Sequence, residues 1–176
     1  MSNIDTSIKF VTINIGLITI SDSRTEDNDK SGNLLKERIE NFGHIILKKI
    51  IIPDDIDKIK KTIEVLSNDP LIDCIISTGG TGLTGRDSTP EAILDLSHKI
   101  IDGFGELFRQ LSYNIIGTST IQSRAIAAVI YHTYIFALPG SPGACKDGWD
   151  NILQYRLDIR HKPCNFIEIM PRLKEK

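Results

Sequence analysis

The segment that decides the fold is residues 73–92, which read DCIISTGGTGLTGRDSTPEA. Its first part is an apolar run of strand length, and a turn rich in glycine follows it. Successive glycines let a backbone approach a ligand closely and direct its N–H groups toward an anion. The next helix is expected to begin with Thr89 as its N-cap, Pro90 at its first position and Glu91 at its positive end. Strand, glycine loop and helix N-terminus in this order predict a phosphate site.

Apolar runs rich in β-branched residues recur along the rest of the chain. They predict strands at residues 13–20, 45–52, 73–77 and 134–138. The order of strands and helical patterns implies parallel strands joined by right-handed crossovers, with helices on both faces. We therefore predict an α/β fold, a three-layer α/β/α sandwich with a mostly parallel central sheet.

Between the strands, apolar residues recur at helical spacing. We predict a helix from about Ser31 to a stop at Gly43, a second helix after residue 55, mostly helical structure over residues 90–130, and a final long helix. The apolar positions of the first helix are Leu35, Ile39 and Phe42, and those of the second are Ile56, Ile59, Ile63 and Leu66. Residues 90–130 contain two such sets, Phe104, Leu107, Phe108 and Leu111, and Ile121, Ala125, Ile126 and Val129. The apolar positions of the final helix are Trp149, Ile152 and Leu153.

The chain has 176 residues, a length that suits one domain with an ordinary buried core. We expect a flexible N-terminal tail at residues 1–8, a single α/β domain at residues 9–170 and a C-terminal tail at residues 171–176. No repeat or long linker divides the chain.

Polar residues follow all four predicted strands. Because ligands of open parallel sheets bind beyond the carboxyl ends of the strands, four such ends favour a polar site at that edge. The segments are Ser21-Asp22-Ser23-Arg24, Pro53-Asp54-Asp55, Thr78-Gly79-Gly80-Thr81-Gly82 and Pro139-Gly140-Ser141-Pro142-Gly143.

The glycine loop resembles two common nucleotide motifs without matching either. Gly80, Gly82 and Gly85 satisfy the dinucleotide pattern, but they follow the third predicted strand instead of the first. The spacing from Gly80 to Gly85 is that of a P-loop, yet Arg86-Asp87 stands where Lys-Ser/Thr is required. A Walker-type NTPase is excluded, and a nicotinamide-binding enzyme is disfavoured.

Two carboxylates, Asp54 and Asp87, are the candidate catalytic and metal-binding residues. Both lie in loops that follow strands, and together they could hold a Mg²⁺ ion that bridges phosphate oxygens. The structural alternative is that Asp54 and Asp55 merely begin the following helix, where acidic residues are favoured.

Composition excludes several classes of protein. Lysine and arginine number 21 against 23 acidic residues, a net charge of −2, which argues against nucleic-acid binding. The N-terminal apolar run is too short to span a membrane, and no export signal precedes it. The three cysteines form no metal-binding pair, and the four histidines show no ligand spacing. We expect a cytoplasmic protein with reduced thiols, in which Cys145 does not act as a nucleophile.

Motifs spread over residues 12–168 resemble the molybdenum cofactor biosynthesis proteins of the MoaB/Mog type. The last two of the following motifs are closer to the MoaB branch, and Ser88 stands where valine is more common. The motifs are Gly79-Gly80-Thr81-Gly82, Arg86-Asp87-x-Thr89-Pro90-Glu91-Ala92, Thr19-Ile20-Ser21-Asp22, Gly103-Phe104-Gly105-Glu106-x-x-Arg109, Ser123-Arg124, Leu138-Pro139-Gly140-Ser141, Lys162-Pro163-Cys164-Asn165-Phe166 and Gly117-Thr118-Ser119-Thr120.

This resemblance implies a molybdopterin adenylyltransferase, which transfers AMP from ATP to molybdopterin with Mg²⁺ and releases pyrophosphate. It also implies a homotrimer or a hexamer. Asp54 and Asp87 match the family's functional aspartates, and Ser123 matches a serine near the pterin. The residues implied in substrate and phosphate binding are Ser21, Asp22, Thr78, Gly79, Gly80, Thr81, Gly82, Ser123, Arg124, Pro139, Gly140 and Ser141. The alternative is a catalytically silent molybdopterin-binding or carrier protein of the same pathway.

Overall fold

In a computed structural model, which describes residues 3–175, a six-stranded sheet forms the centre of the molecule. Strands β2, β3, β4 and β7 are parallel, and their lateral order is β3-β2-β4-β7-β6-β5. The strands are β1 (Asn3–Ile4), β2 (Asn14–Ile20), β3 (Ile45–Ile52), β4 (Cys74–Thr78), β5 (Lys99–Ile100), β6 (Ile126–Ile130), β7 (Thr133–Leu138) and β8 (His161–Lys162).

Helices cover both faces of the sheet, as predicted for a three-layer sandwich. Alternate residues of the central strands point to opposite faces, so that Ile76 belongs to one core and its neighbour Ile75 to the other. One core contains residues of α1, α4 and the α5 region, and the other contains residues of α2 and α3. The helices are α1 (Lys30–Phe42), α2 (Ile56–Ser67), α3 (Thr89–Leu96), α4 (Asp102–Ile116), α5 (Pro142–Gly148), α6 (Gln154–Arg156) and α7 (Phe166–Ile169).

The prediction for residues 121–129 was wrong. The chain leaves α4 through a 3₁₀ turn, Gly117–Gln122, and then forms β6, which pairs antiparallel with both β7 and β5. A tight turn joins β6 to β7, and its Tyr131 has a φ of 53°. A short apolar run such as IAAVI fits a buried strand as well as a helix, and here pairing with β7 decides between them.

Regular structure occurs within both segments predicted as tails, of which residues 1, 2 and 176 lie outside the described part of the chain. Asn3 and Ile4 pair antiparallel with Lys162 and His161, and the N–H of Asp5 donates to the carbonyl of Arg160 at 2.8 Å. The helix around Trp149 is continuous through a π-helical turn, Trp149–Leu153, into α6, but it is not the last. Helix α7 and a 3₁₀ turn, Met170–Lys174, follow it. No helix within residues 3–175 has the length and apolarity needed to cross a bilayer.

His44 is a buried histidine between α1 and β3. Its Nδ1 accepts a hydrogen bond from the N–H of Ile13 at 3.3 Å, and its ring packs against Phe10, Phe42 and Trp149. Its Nε2 has no hydrogen-bond partner among the described residues. Burial among these aromatic rings disfavours the imidazolium and lowers the pKa of His44 to about 4.

The depressed pKa of His44 predicts that the protein loses stability in mild acid. The unfolded state binds a proton below about pH 6.5 and the folded state does so only near pH 4, so stability falls through this interval. The free energy of unfolding, measured by chemical denaturation, should be about 1 to 2 kcal/mol lower at pH 5 than at pH 7. His44→Gln should remove most of this difference, and an equal pH dependence in both proteins would refute the assignment.

Candidate functional site

A cleft with a volume of about 540 Å³ lies at the carboxyl ends of β2, β3, β4 and β7. The structure thus brings together the four polar strand ends identified in the sequence. Of the fourteen residues predicted for the site, all except Arg124 line this cleft. They are Ser21, Asp22, Asp54, Thr78, Gly79, Gly80, Thr81, Gly82, Asp87, Ser123, Pro139, Gly140 and Ser141.

The glycine loop, residues 79–82, turns sharply at Gly79. This residue has a φ of 102°, and a Cβ placed on it would lie 2.0 Å from the carbonyl oxygen of Ile20. Its N–H donates to the carbonyl of Leu138 at 3.1 Å, which fixes the turn to β7 as well. Only glycine permits both this backbone conformation and this approach to β2.

Thr89 does not act as the predicted N-cap. Ser88 occupies the N-cap position of α3 and makes no side-chain capping bond there, while the Thr89 hydroxyl donates to the carbonyl of Gly79 at 3.0 Å. The N–H of Thr89 donates to the carbonyl of Gly80 at the same distance. Thr89 therefore closes the glycine loop onto the start of the helix instead of capping the helix.

Asp54 and Asp55 have different roles. Asp55 is the N-cap of α2, where its carboxylate accepts the N–H of Lys58 at 3.0 Å, as the structural alternative required. Asp54 instead faces the cleft, and its Oδ1 is buried without a hydrogen-bond partner among the described residues. Burial, with smaller contributions from the charges of Asp87 and Asp22, raises the pKa of Asp54.

Asp87 faces the cleft from the other end of the loop. Its Oδ2 accepts hydrogen bonds from the N–H of Thr84 at 2.9 Å and from the Thr84 hydroxyl at 2.6 Å. These bonds stabilise the carboxylate, and the Thr84 hydroxyl makes the largest contribution to the lowered pKa of Asp87. A Cβ on Gly82 would lie 2.7 Å from this Oδ2, and a Cβ on Gly80 would lie 2.8 Å from Asp54 Oδ1. Glycines thus leave open the space next to both carboxylates.

Asp22 is neutralised by a neighbour. Arg86 Nη2 donates to Asp22 Oδ1 at 2.8 Å, and Arg86 Nε donates to Asp22 Oδ2 at 3.1 Å. This bidentate ion pair lowers the pKa of Asp22. Asp22 Oδ1 also accepts the N–H of Asp54 at 3.1 Å. Asp22 therefore connects the ends of β2 and β3 to the segment after the glycine loop.

Arg124 lies behind the glycine loop, outside the cleft. Its Nε donates to the carbonyl of Gly82 at 2.8 Å, its Nη2 donates to the carbonyl of Asp87 at 2.9 Å, and its Nη1 pairs with Glu91. These contacts hold the loop's backbone and leave Ser123, the preceding residue, on the cleft side.

The turn after β7 completes the polar wall. The hydroxyl of Ser141 caps α5 by accepting the N–H of Ala144 at 3.2 Å. Two hydroxyls hold the turn: Ser31 donates to the carbonyl of Gly140 at 2.8 Å, and Thr78 donates to the carbonyl of Pro139 at 3.0 Å.

Several residues that line the cleft were missed by the sequence analysis. Phe108, Ser112 and Ile116 lie four residues apart on α4, a spacing that could have shown that they share a face.

Asp29, which also lines the cleft, was missed as well. Asp29 is 1% exposed, and its carboxylate accepts hydrogen bonds from the Thr19 hydroxyl and from the N–H of Gly32. It also forms an ion pair with Lys49 at 2.9 Å. Although burial acts to raise the pKa of Asp29, these donors outweigh it, and the pKa is lowered.

The cleft has features that suit a Mg²⁺ ion shared with a substrate. Within residues 3–175 no three His, Cys, Asp or Glu side chains come together as a metal cluster, so the protein alone offers at most a partial coordination shell here. The unpartnered Oδ1 of Asp54 and the carboxylate of Asp87 fit an ion that takes one or two carboxylates and completes its shell with phosphate oxygens and water.

Cys145 is fully buried, and burial raises the pKa of its thiol to about 11, which makes it a poor nucleophile.

Comparisons with known proteins agree with this arrangement. The family description "Probable molybdopterin binding domain" matches residues 16–159. Molybdenum cofactor biosynthesis protein B of Escherichia coli (strain K12) is 41% identical over 169 residues, 96% of this chain and 98% of the relative. The protein of the same name from Bacillus subtilis (strain 168) is 45% identical over 131 residues, 74% of this chain and 77% of the relative.

Solved structures of such proteins have the same fold. A crystal structure of molybdenum cofactor biosynthesis protein B has a TM-score of 0.84 at 35% identity, covering 94% of this chain and 98% of that one. The tungsten cofactor synthesizing protein MoaB from Pyrococcus furiosus has a TM-score of 0.75 at 33% identity, and the alignment covers 93% of this chain and 98% of that one. These similarities confirm the predicted fold and the resemblance to the MoaB/Mog type.

The geometry at Gly79 predicts that this position tolerates no side chain. Gly79→Ala forces a Cβ into the carbonyl of Ile20 at a positive φ and should lower the free energy of unfolding by at least about 2 kcal/mol. Gly85→Ala is the matched control, because its Cβ would meet nothing within 4 Å, and it should change stability by less than about 0.5 kcal/mol. Chemical denaturation measures both, and equal stability of the two variants would contradict the described turn.

Proposed function

This chain belongs to the family of molybdopterin-binding domains that includes molybdenum cofactor biosynthesis protein B, and we propose that it adenylylates molybdopterin with ATP and Mg²⁺. The family supports a role in molybdenum cofactor biosynthesis, and the adenylyl transfer is the step within it that the cleft fits. In that step an oxygen of molybdopterin's terminal phosphate forms a bond to the α-phosphorus of ATP. The bond from that phosphorus to the bridging oxygen of the β-phosphate breaks, and pyrophosphate leaves with its electron pair.

One observation carries the proposal: Asp54 and Asp87 face the same cleft across a loop whose glycines leave the space next to them open. A buried carboxylate oxygen without a partner, such as Asp54 Oδ1, is costly to maintain. A cation shared by the two aspartates would remove that cost. When bound, Mg²⁺ supplies positive charge that neutralises the phosphates during the transfer.

The residues of the chain contribute position and charge. Phosphoryl and nucleotidyl transfers depend mainly on alignment of the reactants and on stabilising the charge that develops, so no nucleophile from the protein is needed. The backbone of Gly80, Thr81 and Gly82 lines the cleft and can bring N–H groups close to phosphate oxygens. Arg124 and Thr89 act on the shape of this loop from outside the cleft.

Two further properties follow as part of the proposal. The thiols of Cys74, Cys145 and Cys164 are unpaired, which suits the reducing cytoplasm. The predicted homotrimer or hexamer is supported by exposed apolar side chains within residues 113–121, among them Tyr113, Ile115 and Ile121.

The proposal predicts that Asp87→Asn abolishes turnover while the protein stays folded. The substitution keeps the shape of the side chain but removes the charge available to the metal, so the release of pyrophosphate from ATP in the presence of molybdopterin should fall by about 100-fold or more. Asp95→Asn is the matched control, because Asp95 forms an exposed ion pair with Lys60 and does not line the cleft. It should retain full activity.

Two outcomes would count against this function. Undiminished turnover by Asp87→Asn would remove Asp87 from the reaction. A wild-type protein that binds molybdopterin but releases no pyrophosphate would instead be a catalytically silent binding or carrier protein of the pathway.

A further inference from the structure

Arg24 is the only lysine or arginine among the described residues that line the cleft. Four carboxylates share the cleft with it, those of Asp22, Asp29, Asp54 and Asp87. A cleft of this composition would repel a phosphorylated substrate unless most of the negative charge is neutralised. The arrangement of these charges therefore determines where an anion can bind.

Two of the four carboxylates form ion pairs with residues that do not line the cleft. Asp22 is paired with Arg86 at 2.8 Å, and Asp29 is paired with Lys49 at 2.9 Å. Asp54 and Asp87 have no ion pair within the described residues. A divalent cation held by these two would balance their charge, and Arg24 would then be the one uncompensated charge in the cleft.

The loop between β2 and α1 holds Arg24 at the mouth of the cleft. Asn28 folds this loop by accepting the N–H of Thr25 at 2.8 Å, and its side-chain amide lies 3.4 Å from the carbonyl of Ser23. Arg24 Nη1 donates to the carbonyl of Asn28 at 3.2 Å. No carboxylate of the described residues lies within 4 Å of this guanidinium, so most of its donors remain available to a ligand.

The loop that carries Arg24 and the loops that carry the free carboxylates lead into helices on opposite faces of the sheet. The loop that carries Arg24 leads into α1, which packs on the same face of the sheet as α4. The loops that carry Asp54 and Asp87 lead into α2 and α3, which pack on the other face. The cleft lining also includes the apolar side chains of Phe108 and Ile116 from α4, which packs on the same face of the sheet as α1.

We propose that Arg24 binds the phosphate monoester of the acceptor substrate, while Asp54 and Asp87 take the metal and the triphosphate. This inference rests on the proposed function, because it assigns the two phosphorylated reactants of that reaction to different residues of the cleft. A guanidinium matches the geometry of a phosphate dianion, and a ring system attached to the phosphate would find apolar surface on α4. Arg24 is thus a residue that selects a phosphorylated acceptor.

The test compares the binding of molybdopterin with that of the same pterin after removal of its terminal phosphate. Affinities are measured anaerobically from pterin fluorescence, with Mg²⁺ and without ATP, for the wild type, Arg24→Gln and Arg24→Lys. Lys30→Gln is the matched control, because it removes a nearby exposed cation that does not line the cleft. Binding of Mg-ATP is measured separately for each protein.

Arg24→Gln should weaken molybdopterin binding by about 10- to 100-fold, the range expected for a lost charge-assisted hydrogen bond. Arg24→Lys should lose less affinity for molybdopterin, because lysine keeps the positive charge but lacks the planar guanidinium that donates two parallel hydrogen bonds. The dephosphorylated pterin should bind the wild type and Arg24→Gln equally, and Mg-ATP should bind both within about twofold. Lys30→Gln should behave as the wild type throughout.

Failure of this inference is distinguishable from failure of the proposed function. A wild type that binds molybdopterin and releases pyrophosphate, with Arg24→Gln binding molybdopterin equally well, overturns the role of Arg24 alone. Loss of Mg-ATP binding in Arg24→Gln overturns the assignment of the two reactants to different residues. A wild type that turns over no ATP refutes the proposed function, whatever Arg24 does to pterin binding.

Discussion

The contact between Gly79 and the carbonyl of Ile20 fixes the geometry of the cleft. A side chain at Gly79 would meet this oxygen at 2.0 Å, so the backbone that leaves β4 can lie directly over the end of β2. The N–H of Gly79 simultaneously binds the last carbonyl of β7. Because three parallel strands meet at this residue, the position of everything after it, including Asp87 and the start of α3, depends on the turn that it makes.

The charges around this turn divide into those that hold the loops and those that remain for a ligand. Arg86 pairs with Asp22, and Lys49 pairs with the buried Asp29. Arg124 holds the carbonyls of Gly82 and Asp87 from behind the loop. Asp54, Asp87 and Arg24 are left in the cleft lining without an ion pair among the described residues. Such a division suits a reaction that joins two phosphorylated molecules, since carboxylates that hold a cation and a free guanidinium offer two different ways to neutralise a phosphate.

Much of this could be predicted from the sequence because local patterns determine it. The ends of β3, the stop of α1 at Gly43 and the position of the glycine loop follow from apolar runs and from glycine itself. Residues 126–130 were wrongly predicted to be helical, because the conformation of a five-residue apolar run with two alanines is decided by its pairing with β7. The side of the loop on which Arg124 lies depends on its contacts with Gly82 and Asp87, which are distant in sequence and which a short motif does not encode.

The central claim is that this cleft transfers the α-phosphoryl group of ATP, with its adenosine, to a phosphate on the pterin. The most direct measurement is to incubate the wild-type protein with molybdopterin, Mg²⁺ and ATP carrying radioactive phosphorus at the α position, and to separate the products. The account predicts label in the adenylylated pterin and unlabelled pyrophosphate. Label that stays entirely in ATP, or that appears in AMP with none on the pterin, would contradict it.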